Sequence, residues 1–236
     1  MTWSIIARDK VTGQFGIAVA TRFFAVGARV PHIASNLGAV ATQALVNPYY
    51  GIDGVRLLRE GRNAHEVLAA LLATDEGRES RQVHIMDASG EISAHTGSEC
   101  IDWCGHIAGA GFSIAGNMLA DALVLDETAK AYLTNDSLPF PRRLLAAMRA
   151  GEAAGGDKRG KQSAALLIHG DEEWSMLDLR VDDHSNPLGE LERLEQVSRE
   201  HWVRFRAFLP TRQTPAGVTA RSVIDAALAS ARAAEQ

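Results

Sequence analysis

Three times along the chain, an apolar run, a polar turn holding Asp or Gly, and a second apolar run follow one another. This repeated plan restricts the fold more than any other feature. The segments are Trp3–Ala20 around Asp9–Gly13, Val83–His95 around Asp87–Gly90, and Ala164–Leu179 around Gly170–Asp171. Asp and Gly accept turn dihedrals while the flanks favour strands, so each segment reads as a β-hairpin. Gly38–Ala44 and Gly111–Gly116 add further strands. Helical patterns fall between them: Gly54–Arg59 with Ala64–Thr74, then Ala120–Leu133 with Pro141–Ala154. A long helix is expected over Pro187–Leu209 and an Ala-rich one over Val218–Ala234.

Strands that come in hairpins, rather than singly between helices, disfavour a doubly wound arrangement. The sequence also holds neither a G-x-G-x-x-G after its first strand nor a phosphate-binding G-x-x-x-x-G-K-[ST]. Two antiparallel sheets packed face to face, with helix pairs outside, bury both faces of such apolar strands. The expected fold is therefore α+β, a four-layer αββα sandwich over residues 1–186, with a C-terminal helical extension over 187–236. Composition agrees with one real core, since 46% of the 236 residues are apolar and 22% charged. A net charge of −5 argues against a nucleic-acid partner. Without a run of roughly 20 apolar residues or a secretory pattern in MTWSIIARDK, no membrane partner is expected and the location reads as cytoplasmic.

Thr2 opens the first apolar strand directly behind Met1. Threonine is small enough for a preceding methionine to be removed, which would leave a free α-amine beside a hydroxyl. That amine, with a reference pKa of about 7.7–8.0, is partly neutral near physiological pH and accepts the hydroxyl proton. One residue then supplies both nucleophile and base.

The run TWSIIARDKVTGQFGIAVAT resembles the nucleophile strand of plant-type asparaginases and isoaspartyl peptidases, within the wider class of N-terminal nucleophile (Ntn) hydrolases. By position the matches are Thr2, Asp9, Gly13 and Thr21, and the resemblance implies that Thr21 supports the nucleophile. More of the chain resembles the Ntn-hydrolase-like family known as domain of unknown function 1028. The segments MTWSIIARD, GIAVATRFFAVGARVP, GAVATQALVNPYYG, GAGFSIAGNML, AGGDKRGKQSAALL and DLRVDDHSNP carry that resemblance in order. It implies the αββα fold and supplies no substrate.

Other residues gather around the same reading. Asn117, at a strand end within the family-like GNML segment, suits an oxyanion donor, with a tight turn at its Gly-Asn step as the alternative. Arg22 follows Thr21 and suits a carboxylate; Thr42 and Gln43 end another strand and suit a cleft wall. The stretch Gly155–Ser163 joins flexible backbone to Lys158, Arg159 and Lys161, so Asp157, Arg159 and Ser163 are candidates for an anionic ligand, with a solvated loop as the alternative. Asp182-Asp183-His184 suits a helix cap better than a metal, because neighbours on a strand point to opposite faces. Cys100 and Cys104 are too few for a disulfide framework or an all-cysteine zinc site.

Together these features point to an amidohydrolase that cleaves a small, anionic, amino-acid-derived substrate and needs no metal or organic cofactor. The alternative is a non-catalytic scaffold that binds an anionic metabolite through the Gly155–Ser163 loop. Leu191, Leu194, Trp202, Phe205 and Phe208 mark an apolar stripe on the last long helix, and from its aromatic part, Trp202, Phe205 and Phe208, a homodimer is expected.

Overall fold

The structure, a computed structural model, describes residues 2–233. The first hairpin pairs β1 (Thr2–Arg8) with β2 (Phe15–Thr21). β3 (Pro31–Ala34) and β4 (Gly38–Ala44) follow, then helices α1 (Pro48–Arg59) and α2 (Ala64–Ala73), then β5 (Arg81–Asp87) and β6 (Ile92–Thr96). β7 (Gly105–Gly109) and β8 (Phe112–Asn117) precede α3 (Leu123–Thr134) and α4 (Phe140–Ala153). β9 (Ser163–His169) and β10 (Ser175–Val181) close the strand set, and α5 (Pro187–Glu200), α6 (Trp202–Phe205) and α7 (Arg221–Ala233) end the chain. The strands form a six-stranded sheet, β10-β9-β2-β1-β8-β7, and a four-stranded sheet, β3-β4-β5-β6, antiparallel throughout.

Strand alternation builds the layers. Ile6, Ile17 and Val19 of the larger sheet meet Ala39, Ala41 and Met86 of the smaller one. The next residues along the smaller sheet, Val40, Val83 and Ile85, turn the other way, onto Tyr50 and Leu57 of α1 and Val67 and Leu71 of α2. Across the larger sheet, a Cβ on Gly16 would lie 2.6 Å from Leu144 and 2.8 Å from Phe140, so only glycine lets α4 approach this closely. Each buried aliphatic side chain adds roughly 1.5–3 kcal/mol to such a core. The result is the expected αββα sandwich.

Local signals start the helices. Asn47 accepts from Tyr49 N ahead of Pro48, and Asn63 with Glu66 forms a capping box on α2. α1 thus begins six residues before the expected Gly54. Sequence reading also missed β3 and β7, the latter a half-buried edge strand with a glycine at each end. The expected helix Pro187–Leu209 is broken: His201 (φ −137°) separates α5 from α6, and a 3-10 turn covers Arg206–Phe208. Trp202, Phe205 and Phe208 therefore lie on α6 and the 3-10 turn, not on one continuous helix with Leu191 and Leu194. α5 is capped by Asn186, whose Oδ1 accepts from Gly189 N, while Asp182 pairs with Arg180 and Asp183 accepts from Gln162. The capping role given to Asp182–His184 thus moves to Asn186. The expected helix Val218–Ala234 starts at Arg221, and Ala234 lies outside the described residues.

The chain divides into one compact unit up to Glu192 and a second from Arg193 onward, the division falling within α5. In the second unit, His201 stacks on Phe205 at 5.4 Å and Phe205 meets Phe208 edge-on at 6.3 Å. No helix among the described residues is long and apolar enough to cross a membrane.

Candidate functional site

The antiparallel register gathers chemistry at one end of the larger sheet. Thr2 begins β1 beside Asn117 at the end of β8, while Trp3 opposite Ala20 sets Thr21 beside Thr2. Ser163 at the start of β9 lies opposite Thr21. The Thr2 hydroxyl donates to Thr21 Oγ1 over 3.2 Å, and both residues are buried. Thr2 lines a cavity of about 200 Å³ whose other walls include Phe23, Val26, Val30 and Gln43. A second cavity of about 300 Å³ touches Asn117 and Met118, and Ala44 and Leu45 border both.

Behind this end lies a buried polar network between the sheets. Gln43 Nε2 donates to Gln82 Oε1 (2.8 Å), to the Thr2 carbonyl (3.3 Å) and to the Ala115 carbonyl (3.1 Å). Gln82 Nε2 reaches Thr96 Oγ1 and the carbonyls of Gly105 and Gly116, so one side chain stitches the smaller sheet to the larger. Ser4 Oγ donates to Gln43 Oε1 over 2.7 Å and therefore accepts from His84 Nε2 at 2.9 Å. The other ring nitrogen, Nδ1, is then the acceptor for the Ser113 hydroxyl at 2.9 Å. Complete burial, helped by the nearby charge of His106, pushes the His84 pKa down to about 3, so the ring is neutral.

Backbone strain marks the same end. Four non-glycine residues among those described have positive φ, and Ala25 (55°), Ala44 (68°) and Met118 (53°) all lie in or beside the cavity walls. Such conformations cost of order 1–3 kcal/mol each and concentrate at functional sites. The Leu45–Asn47 loop is braced from behind: Arg81 donates to the Leu45 carbonyl and to Asp75, and Asn47 Nδ2 also donates to Asp75. Burial works to raise the Asp75 pKa, but the donors Asn47, Arg81 and Gly77 outweigh it and hold the carboxyl well below the usual range.

The residues singled out from the sequence divide accordingly. Thr2, Thr21, Asn117 and Gln43 do come together. Asn117 Nδ2 donates to the Thr2 carbonyl (3.4 Å) and to Gln82 Oε1 (3.0 Å), so both of its hydrogens are engaged and it holds the Thr2 main chain instead of awaiting an oxyanion. Thr42, expected beside Gln43 in the cleft, is turned the other way by strand alternation and donates to the Asn47 carbonyl. Ser163 donates to the Phe23 carbonyl and accepts from Val26 N, which fastens the 23–26 loop. Asp157 accepts from the backbone amides of Arg22 (2.6 Å) and Arg159 (2.8 Å), and Arg159 Nη2 pairs with it at 3.2 Å. Lys158 donates to the Asp102 carbonyl and Lys161 pairs with Glu152, so the Gly155–Ser163 loop spends its cations internally. Arg22 is exposed and leans over Gly160, where a Cβ would sit 3.2 Å from its Nη1, outside the Thr2 cavity.

Sequence reading missed Gln82 and His84, whose roles need both sheets, and Arg29, which lines the Thr2 cavity. The family-like run FFAVGARVP was the signal available for Arg29. Among the described residues, no group of three metal-ligating side chains is arranged to hold a metal ion. Cys100 and Cys104 are free thiols; burial pushes Cys100 up to about 11 and Cys104 upward as well.

Fold and site define a four-layer αββα sandwich whose first strand is central and presents a threonine at the sheet end. The chain belongs to the family of unknown function DUF1028, whose model matches residues 2–191. A crystal structure of a protein of that family from Silicibacter pomeroyi is similar, with 35% identity and a TM-score of 0.85 over 92% of this chain and 95% of that one. Two structures of Anbu (ancestral beta-subunit) proteins are more distant. The one from Yersinia bercovieri has 10% identity and a TM-score of 0.43 over 88% and 98% of the two chains. The one from Hyphomicrobium sp. strain MC1, a mutant, has 11% identity and a TM-score of 0.42 over 86% and 96%. Likeness at that level carries no argument about activity. No curated protein matches the chain. The resemblance of the first hairpin to plant-type asparaginases has no support in these comparisons.

Proposed function

We propose that this protein is an Ntn-type amidohydrolase acting on a small anionic amide, with Thr2 as nucleophile once Met1, which lies outside the described residues, has been removed. The observation that carries this reading is the Thr2 hydroxyl, held 3.2 Å from Thr21 Oγ1 on the wall of a cavity of about 200 Å³. Thr2 Oγ attacks the amide carbon while its proton passes to the freed α-amine. A backbone amide of the cavity wall stabilises the oxyanion. The C–N bond then breaks, and the leaving nitrogen takes the proton from the α-amine. Water next attacks the resulting ester, gives one proton to the amine and restores the threonine hydroxyl as the acid leaves. Thr21 orients Oγ, Asn117 and Gln43 fix the Thr2 main chain, and no metal or organic cofactor enters the cycle.

Thr2→Ala and Thr2→Ser test the assignment on a panel of N-acyl amino acids. Loss of turnover in Thr2→Ala with ligand binding kept, and partial turnover in Thr2→Ser, is expected. Turnover unchanged in Thr2→Ala would overturn it. The alternative, anion binding by the Gly155–Ser163 loop, is disfavoured by the internal partners of Lys158, Arg159 and Lys161. A homodimer belongs to the proposal as well, and sedimentation of the full chain as a monomer at micromolar concentration would remove it.

A further inference from the structure

The walls of the Thr2 cavity define more of the ligand than the reaction class does. Phe23, Val26, Val30, Ala44, Leu45 and Val46 give it an apolar lining. Two of these, Phe23 and Leu45, are 57% and 66% exposed, so a ligand seated there removes apolar surface that the protein leaves to water. A cavity of about 150 Å³ lined by Leu, Ile and Phe stays dry and takes benzene; this one, at about 200 Å³, has room for a group of that size or slightly larger. One charged side chain, Arg29, interrupts the lining. Arg29 is exposed, and its guanidinium has no hydrogen-bond or ion-pair partner among the described residues. A planar cation with unspent parallel donors grips a carboxylate. Arg22, the cation favoured by the sequence, lies over Gly160 instead.

We infer that the cavity takes N-acyl amino acids bearing one apolar group of about phenyl size, which fills the pocket, and a carboxylate, which meets Arg29. For the cleavage itself this rests on the Thr2 reading; for binding it does not. The apolar group can sit on either side of the scissile amide, and the probes below separate the two.

Calorimetric titration of the full chain with N-phenylacetylglycine, N-acetylphenylalanine, N-acetylglycine and N-phenylacetylglycinamide tests the inference, with turnover of each followed in parallel. At least one aromatic acid is expected to bind about tenfold more tightly than N-acetylglycine, the scale of one partly buried apolar group. Whichever acid it is identifies the side that carries the apolar group. Arg29→Gln should abolish the preference for N-phenylacetylglycine over its glycinamide, and Leu45→Glu should weaken both aromatic acids. Both substitutions are at exposed positions, and a thermal melt verifies folding. Equal binding of aromatic and acetyl probes, no binding of any probe at millimolar concentration, or an undiminished carboxylate preference in Arg29→Gln overturns the inference. The expected binding pattern without turnover leaves the inference standing and removes the hydrolase reading. Turnover without any aromatic preference does the reverse.

Discussion

The two ends of the sandwich are built on opposite terms. At the hairpin-turn end, the chain reverses through Asp9–Gly13, Asp87–Gly90 and Ala110–Gly111, whose left-handed residues are the glycines Gly13, Gly90 and Gly111, and through the β3–β4 turn, where left-handed backbone falls on Asn36, a residue that tolerates it. Asp9 and Asp87 fill the turn geometry by accepting from backbone amides two to four residues on. At the Thr2 end, left-handed backbone falls on Ala25, Ala44 and Met118, and buried amide side chains reach from sheet to sheet. The larger cavity, about 420 Å³, lies at the relaxed end among Arg8, Lys10, Gly13 and Gly90. Cavity size alone therefore points to the relaxed end, whereas retained strain and buried polarity favour the Thr2 end as the candidate site.

That contrast can be broken most severely at Gln82. Gln82→Leu would strip partners from Gln43, Asn117, Thr96 and two main-chain carbonyls at once. A loss of about 3 kcal/mol or more is expected from several buried groups left unpaired. Urea unfolding measures it, and a loss under 1 kcal/mol would mean that the network does not hold the sheets together.

His84 gives the next largest effect, through pH. The folded ring titrates near 3 and an unfolded histidine near 6.5, so between these values the unfolded state binds a proton that the native state does not. Stability contributed by the neutral ring is complete above about pH 6.5 and falls by about 1.4 kcal/mol per pH unit below it, towards pH 3. His32, His106 and His169 are shifted down by burial too and add in the same direction. The slope of stability against pH should flatten in a His84→Gln variant; an unchanged slope would contradict the neutral, buried ring.

A smaller but sharper comparison exchanges residues between the ends. Gly90 (φ +88°) has nothing within 4 Å of an added Cβ, so Gly90→Ala reports backbone strain alone and should cost about 1 kcal/mol. Ala44→Gly relieves the same strain, offset by the greater unfolded-state freedom of glycine, and should be neutral or up to about 1 kcal/mol stabilising. Thermal melts of the pair compare the two. Destabilisation of Ala44→Gly beyond that of Gly90→Ala would remove the claim that strain is held at the Thr2 end.

How far the sequence could be read follows from the same physics. Asp and Gly in the turns fixed the three hairpins, and antiparallel pairing alone then brought Thr2, Thr21, Asn117 and Ser163 to one end. β3 was hidden by its four-residue length and its leading Pro31, and β7 by its glycines and half-exposed edge position. The stripe Leu191, Leu194, Trp202, Phe205 and Phe208 kept a helical period across the helix break at His201, which periodicity cannot detect. Gln82 and His84 act only through partners on the opposite sheet, so no local pattern announces them. Thr42 was misplaced because two neighbours on a strand, Thr42 and Gln43, were assigned to one face.

The central claim concerns a single hydroxyl, and intact-mass analysis of protein made in its native host, with and without a β-lactone probe, tests it most directly. The account predicts a chain starting at Thr2 that gains one probe mass, with no gain in Thr2→Ala. Protein that uniformly keeps Met1, or an adduct that persists in Thr2→Ala, would contradict it.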